Sequence, residues 1–172
     1  MKRLLLVLFL CLVALPAFGQ SRIIFTRSNG EIAVRNLLPG AMAQDFTNAI
    51  QHAIDSGKAV DPPVVVDQTD IPADRIFRNA WRRSGGTVLG DMPLARDIHA
   101  GRIATAQVAE IARLKVEERK ERLKGNTSQA DTHATTVTAL EALDLNVLAT
   151  QIAAAPNPTA LSAIWPANVP RL

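Results

Sequence analysis

One long stretch of the chain, residues 94–124, constrains the fold most, because it contains no proline and a single glycine, Gly101. Asp91 just before it is a good N-cap residue, and Pro93 is tolerated in the first turn of a helix. Gly125-Asn126 then supplies a stop signal. The pattern predicts one helix over residues 92–124, about nine turns long, which is well above the usual length in globular proteins. Such a helix should project from a globular part or pair with another helix.

Small and apolar residues recur along this predicted helix as a narrow stripe. Its members are Leu94, Ile98, Gly101, Ala104, Val108 and Ile111. The charged end, residues 113–124, is expected to stay in water, with Glu118 and Arg122 as a favourable i,i+4 pair. The stripe is too narrow for a core of its own. We expect it to be covered by the chain's own C-terminal helices, by a second copy or by a partner, which makes it the candidate interaction surface.

The segment before the long helix shows strand patterns around turn signals. Asn29-Gly30 separates two apolar runs and predicts a hairpin with strands at about 22–27 and 31–35. An apolar face predicts a helix over 41–56, and residues 64–66 predict a strand paired with the hairpin. A second helix is predicted from Asp70 to the glycines that follow Ser84, with Phe77 and Trp81 buried on one face. Residues 87–89 predict a last short strand.

After residue 126 the pattern is helical again. Thr127 or Ser128 is expected to cap a helix that is broken near Asp144 and lies antiparallel to the long one, and Asn157 is expected to begin a last short helix. The predicted fold class is therefore α+β: a small N-terminal β-hairpin and helix unit, then a long helix and an antiparallel helical C-terminal region. The predicted divisions are residues 1–19, 20–90 and 91–172.

Residues 1–19 have the layout of a secretory signal peptide. Lys2 and Arg3 precede an apolar run over residues 4–15, and Ala17-Phe18-Gly19 fits a signal peptidase site. We expect cleavage before Gln20 and an exported or periplasmic protein. A retained anchor and an apolar arm buried in an assembly are the alternatives; residues 4–15 would then contact a membrane or a virion.

The charge balance argues against specific nucleic-acid binding. Without Lys2 and Arg3 the formal charge falls from +3 to +1, and the remaining charges alternate in sign. The densest basic group, Arg75, Arg78 and Arg82, lies near one face of the predicted second helix. It is a weak candidate for anion binding, and pairing with nearby aspartates is the more expected role.

The residues needed for catalysis or metal binding do not form a recognisable set. The single cysteine, Cys11, lies in the apolar run, and His52, His99 and His133 include no i,i+4 pair. For His99 a structural role is expected. We predict no catalytic residue, no metal site and no cofactor, and therefore a protein that is not an enzyme.

Four segments resemble a family of small, uncharacterised phage and prophage proteins that is loosely associated with tail or virion genes. They are SRIIFTR at 21–27, DIPADRIFRNAW at 70–81, DMPLARDIH at 91–99 and LSAIWP at 161–166. The resemblance implies a phage-encoded accessory protein that acts by protein–protein interaction in tail or virion assembly, or as a virion component. It carries over no catalytic residue. The alternative is an exported or membrane-tethered periplasmic interaction protein of a bacterium.

Overall fold

The structure, a computed structural model, describes residues 21–38 and 40–171. It confirms the α+β class, with short antiparallel strands in the N-terminal part followed by a long helix and further helices. The signal-like segment lies outside the described residues, so its cleavage stays a prediction.

The predicted hairpin and the strand beside it form one antiparallel sheet. Strands β1 (Arg22–Thr26) and β2 (Ile32–Asn36) pair with Ile24 opposite Val34, and Gly30 adopts φ +80° in the loop between them. Strand β3 (Val64–Val66) pairs with the other edge of β1, so the strand order is β2-β1-β3. Asn-Gly allows the turn because glycine adopts positive φ at little cost.

The central strand β1 is buried on both faces. Ile23 packs on one side against helix α1 (Ala43–Asp55), whereas Ile24 packs on the other side with Trp81 and Val88. Successive side chains of a strand point to opposite faces, so two neighbouring isoleucines supply two separate clusters.

The predicted second helix is wrong. Two single 3-10 turns, Gln68–Asp70 and Arg78–Ala80, stand in its place, followed by a hairpin of β4 (Trp81–Ser84) and β5 (Thr87–Gly90). The Asp74 side chain accepts the N–H of Ile76 at 2.8 Å, a local bond that competes with helical pairing. The second reason is packing, because Phe77 and Trp81 belong to two different apolar clusters and never share a face.

The long helix and its antiparallel partner are confirmed. Helix α2 (Met92–Leu123) is capped by Asp91, which accepts the N–H of Leu94 at 3.0 Å. Helix α3 (Thr127–Glu141) follows after a short turn and packs along α2. Ion pairs join Arg122 to Asp131 near the turn and Lys115 to Glu141 further from it, which sets the antiparallel direction. The cap predicted at Thr127 or Ser128 lies one residue earlier, at Asn126.

Two shorter helices complete the helical part. The carboxylate of Asp144 caps α4 (Leu145–Ala154), which confirms the break predicted there, and Asn157 caps α5 (Pro158–Ala163). One apolar cluster joins Phe77 to α2, α4 and α5, and another joins the middle of α2 to α3 and Val169. Helix α2 is therefore the element on which the rest of this region packs.

Candidate functional site

The face of α2 that packs against the rest of the chain differs from the predicted stripe. Its residues recur at helical spacing and are all buried: Ala95, His99, Ile103, Ala106, Gln107, Leu114 and Glu121. We call this set the packed face. It contacts α3, α4 and α5, so it serves the fold itself.

Three residues of the predicted stripe, Gly101, Ala104 and Val108, are exposed, and Val108 is 66% exposed. The other three are half-buried at the margins of the clusters: Leu94, Ile98 and Ile111. Cover by the chain's own C-terminal helices is therefore wrong for the middle of the stripe. Cover by a second copy or by another protein stays a prediction.

The packed face includes the buried polar residues Gln107 and Glu121, which is why the apolar spacing in the sequence did not indicate this face. The amide of buried Gln107 donates to the carbonyl oxygen of Leu140 at 2.7 Å, at the end of α3. The carboxylate of buried Glu121 accepts hydrogen bonds from Lys124 and Asn126, both at 2.6 Å. Buried polar groups are tolerated when they are hydrogen-bonded in this way.

The side chain of His99 on α2 is buried and contacts two other segments of the chain. Its Nε2 lies 2.7 Å from the carbonyl oxygen of Ile164. Since a carbonyl oxygen only accepts, Nε2 carries the proton. The imidazole also meets the rings of Phe77 and Trp165 edge-on, with centroids 5.5 and 5.7 Å away. These contacts tie α2 to the turn before β4 and to the C-terminal segment.

The opposite side of α2 presents a second row of apolar and small residues, which we call the outer face. Its members are Gly101, Thr105, Val108, Ala112, Val116 and Leu123, and all are exposed. Val116 is 54% exposed and Leu123 is 82% exposed. Sequence reasoning missed these last two, although they lie eight and fifteen positions after Val108, close to whole numbers of helical turns.

Basic side chains flank the C-terminal half of the outer face, and all of them except Arg119 form ion pairs within the described residues. Residues 113–124 contain six basic and three acidic side chains. All six basic residues are exposed, whereas Glu117 and Glu118 are half-buried and Glu121 is buried. The predicted pair is present, with Arg122 Nε 2.9 Å from Glu118 Oε1. The charged end is thus wet on its outer side, as predicted, and buried on its inner side.

The weak anion-binding candidate loses the helical face on which it rested. Arg75 lies in a turn, and the guanidinium of Arg78 lies 5.8 Å from the ring centroid of Trp81. Arg82 lies on β4 with its Nε 3.7 Å from the carboxylate of Asp91. The missing helix is the physical reason that these three do not form one helical surface.

The half-buried carboxylate of Asp61 joins the three-stranded sheet to the hairpin of β4 and β5. Asp61 accepts hydrogen bonds from the backbone N–H and the hydroxyl of Thr26, both at 2.7 Å, and from Arg83 at 2.8 Å. Burial by itself raises the pKa of Asp61, but the bonds from Thr26 and the charge of Arg83 together outweigh it. The pKa of this carboxyl therefore lies below its ordinary value.

In residues 21–38 and 40–171, no group of three or more His, Cys, Asp or Glu side chains is placed to hold a metal ion. Within the same ranges no single helix is long and apolar enough to cross a membrane. Helices α3 and α4 meet these two criteria when they are taken together, but the pair is bent by 54°.

Comparison of the chain with protein-family models, with curated proteins and with solved structures finds no match.

Proposed function

We propose that this chain is a non-enzymatic accessory protein that binds another protein through the outer face of α2. The observation that supports it is the row of Val108, Val116 and Leu123, which are 66%, 54% and 82% exposed on the side of α2 opposite its packed face. Exposed apolar patches mark interaction surfaces, and these three side chains lie in one row along α2 with Ala112 between the first two. Full burial of one such side chain is worth about 1.5–3 kcal/mol.

The charge beside this row favours an acidic partner. Exposed Lys115, Arg119 and Arg122 flank Val116 and Leu123. Lys115 and Arg122 are paired with carboxylates of this chain, so within the described residues Arg119 is the one of these three that forms no ion pair. A second copy of the chain would bring the same positive charge to the interface, and like charges oppose association. A partner surface with an apolar ridge and carboxylates beside it is complementary on both counts.

The resemblance noted in the sequence favours phage tail or virion assembly, or the particle itself, as the setting that we propose for this interaction. The alternative setting is the bacterial envelope, with an exported or membrane-tethered protein, and residues 1–19 favour it. The outer face serves either setting. Neighbouring genes for capsid, portal or tail proteins would support the first setting, and envelope genes the second.

The substitution Val108→Asp tests the proposal. Val108 is exposed, so the variant should keep the fold with a change in stability within about 0.5 kcal/mol. It places a charge in the apolar row, so we expect loss of the partner complex in sizing with light scattering and in pull-down. Val60→Asp is the matched control, because Val60 is 61% exposed and lies outside α2. The control should bind like wild type, and binding should weaken with added salt.

Two results would contradict the proposal. One is a partner complex that Val108→Asp leaves intact. The other is binding to anionic lipid vesicles that Val108→Asp abolishes while no protein partner is recovered, which would assign the outer face to a membrane surface.

A further inference from the structure

A cavity of about 440 Å³ lies beside the N-terminal half of α2. Its walls come from four places in the chain: the turn before β4, helix α2, helix α5 and the C-terminal segment. The lining residues are Ile76, His99, Arg102, Ser162, Trp165 and Arg171. Cavities of roughly 300–1,000 Å³ that combine apolar walls with a few polar groups are typical of small-molecule sites.

Two guanidinium groups of this cavity are held in place from two sides. Arg102 lies over the ring of Phe77, 5.6 Å from its centroid, and donates to the carbonyl oxygen of Ile76 at 3.2 Å. Arg171 lies over Trp165, 5.2 Å from its ring centroid, and donates to the carbonyl oxygen of Ser162 at 3.2 Å. A guanidinium has five N–H donors, so each retains most of them for a ligand.

The two positive charges have no acidic counterpart in the cavity. Among the described residues, none that lines it is an Asp or a Glu. Within the described residues neither Arg102 nor Arg171 forms an ion pair. Arg113 and Arg122, which lie on α2 as Arg102 does, each form one or more. Like charges that face one cavity repel, and a bound anion relieves that repulsion.

We propose that this cavity binds a small organic carboxylate. Guanidinium groups match the planar, two-oxygen geometry of a carboxylate. Ile76 and Trp165 offer an apolar surface to the body of such a ligand, which an inorganic anion does not use. The site lies apart from the outer face of α2, so this proposal does not rest on the protein-binding proposal.

Titration of the full chain with benzoate tests the site, with heat of binding and tryptophan fluorescence as readouts. Trp165 lines the cavity, whereas Trp81 is buried in another cluster. We expect saturable binding of one benzoate per chain. Benzamide, which has the same shape without the charge, and inorganic phosphate, which has charge without the apolar body, should both bind at least about tenfold more weakly.

Arginine variants then locate the site. Arg102→Gln and Arg171→Gln should each weaken benzoate binding at least about tenfold, which corresponds to about 1.4 kcal/mol. Arg102→Lys retains the charge without the forked donor geometry and should fall between wild type and Arg102→Gln. Arg78→Gln is the matched control, because its guanidinium also lies over a tryptophan but outside this cavity. It should bind benzoate like wild type.

Four results would overturn the proposal: no saturation at up to about 10 mM benzoate, ten times the Kd of a millimolar complex; equal binding of benzamide; binding of phosphate in the absence of benzoate binding; or equal weakening by Arg78→Gln. A thermal melt of each variant separates loss of the site from loss of the fold. If Arg102→Gln does not fold, Arg171→Gln decides, because the Arg171 side chain is exposed.

Discussion

Replacement of Asp61 should change the stability of the fold in a pH-dependent way. In Asp61→Asn the charge-assisted hydrogen bond from Arg83 is lost, and bonds of that kind contribute about 1.5–3 kcal/mol. The Asp61 side chain is 31% exposed, so water replaces part of the interaction. We therefore expect a loss of about 1–2 kcal/mol at pH 7. For a chain of this size that lowers the Tm by about 2–8 °C.

The pH dependence of this loss has a definite sign. The pKa of Asp61 is lowered in the folded state, below the value of about 3.9 expected in an unfolded chain. The carboxylate therefore contributes fully above about pH 4, and its contribution disappears as the pH falls through the folded pKa. The difference in stability between wild type and Asp61→Asn should be largest near neutral pH and should shrink on acidification.

Urea unfolding followed by circular dichroism, at several pH values between 7 and 3, measures this difference. Asp97→Asn is a suitable control, because Asp97 is exposed on α2 and the same substitution removes one negative charge there. A difference for Asp61→Asn that stays constant down to pH 3, or that grows as the pH falls, would refute the reasoning.

Three further predictions concern the core, the N-terminus and nucleic acid. Trp81→Ala and Phe77→Ala should each cost about 3–5 kcal/mol, because both side chains are buried; an unchanged melting temperature would contradict this. Intact mass after expression in a bacterium should show Gln20 as the first residue, and a full-length chain in the membrane fraction would argue against cleavage. No specific nucleic-acid binding is expected at physiological salt; a mobility shift that disappears when Arg78 and Arg82 are replaced would overturn that expectation.

The elements that the sequence predicted correctly are those with strong local signals. Asn29-Gly30 specifies the first hairpin, Asp91 begins α2, and Asp144 separates α3 from α4 through its own cap. Each of these depends on residues within a few positions of one another. Local backbone chemistry was therefore sufficient to locate them.

The features that the sequence did not predict depend on contacts between distant residues. Gln107 is polar and is buried because its amide donates to the carbonyl oxygen of Leu140, so the sequence pattern alone did not indicate the packed face of α2. Trp81 lies in β4 and not in a helix, and there it packs in one apolar cluster with Ile24 and Val66 of the three-stranded sheet. The cavity brings Arg102 together with Arg171 from the end of the chain, and no spacing in the sequence indicates that meeting.

Photo-crosslinking from position 108 tests the central claim most directly, because it reports what touches the outer face of α2. A photoreactive amino acid placed there should yield one adduct with an acidic protein in the cells that produce this chain, and high salt should reduce its yield. The same amino acid at position 60 should not yield that adduct. An adduct of the chain with a second copy of itself, no adduct from position 108, or the same adduct from both positions would contradict the account.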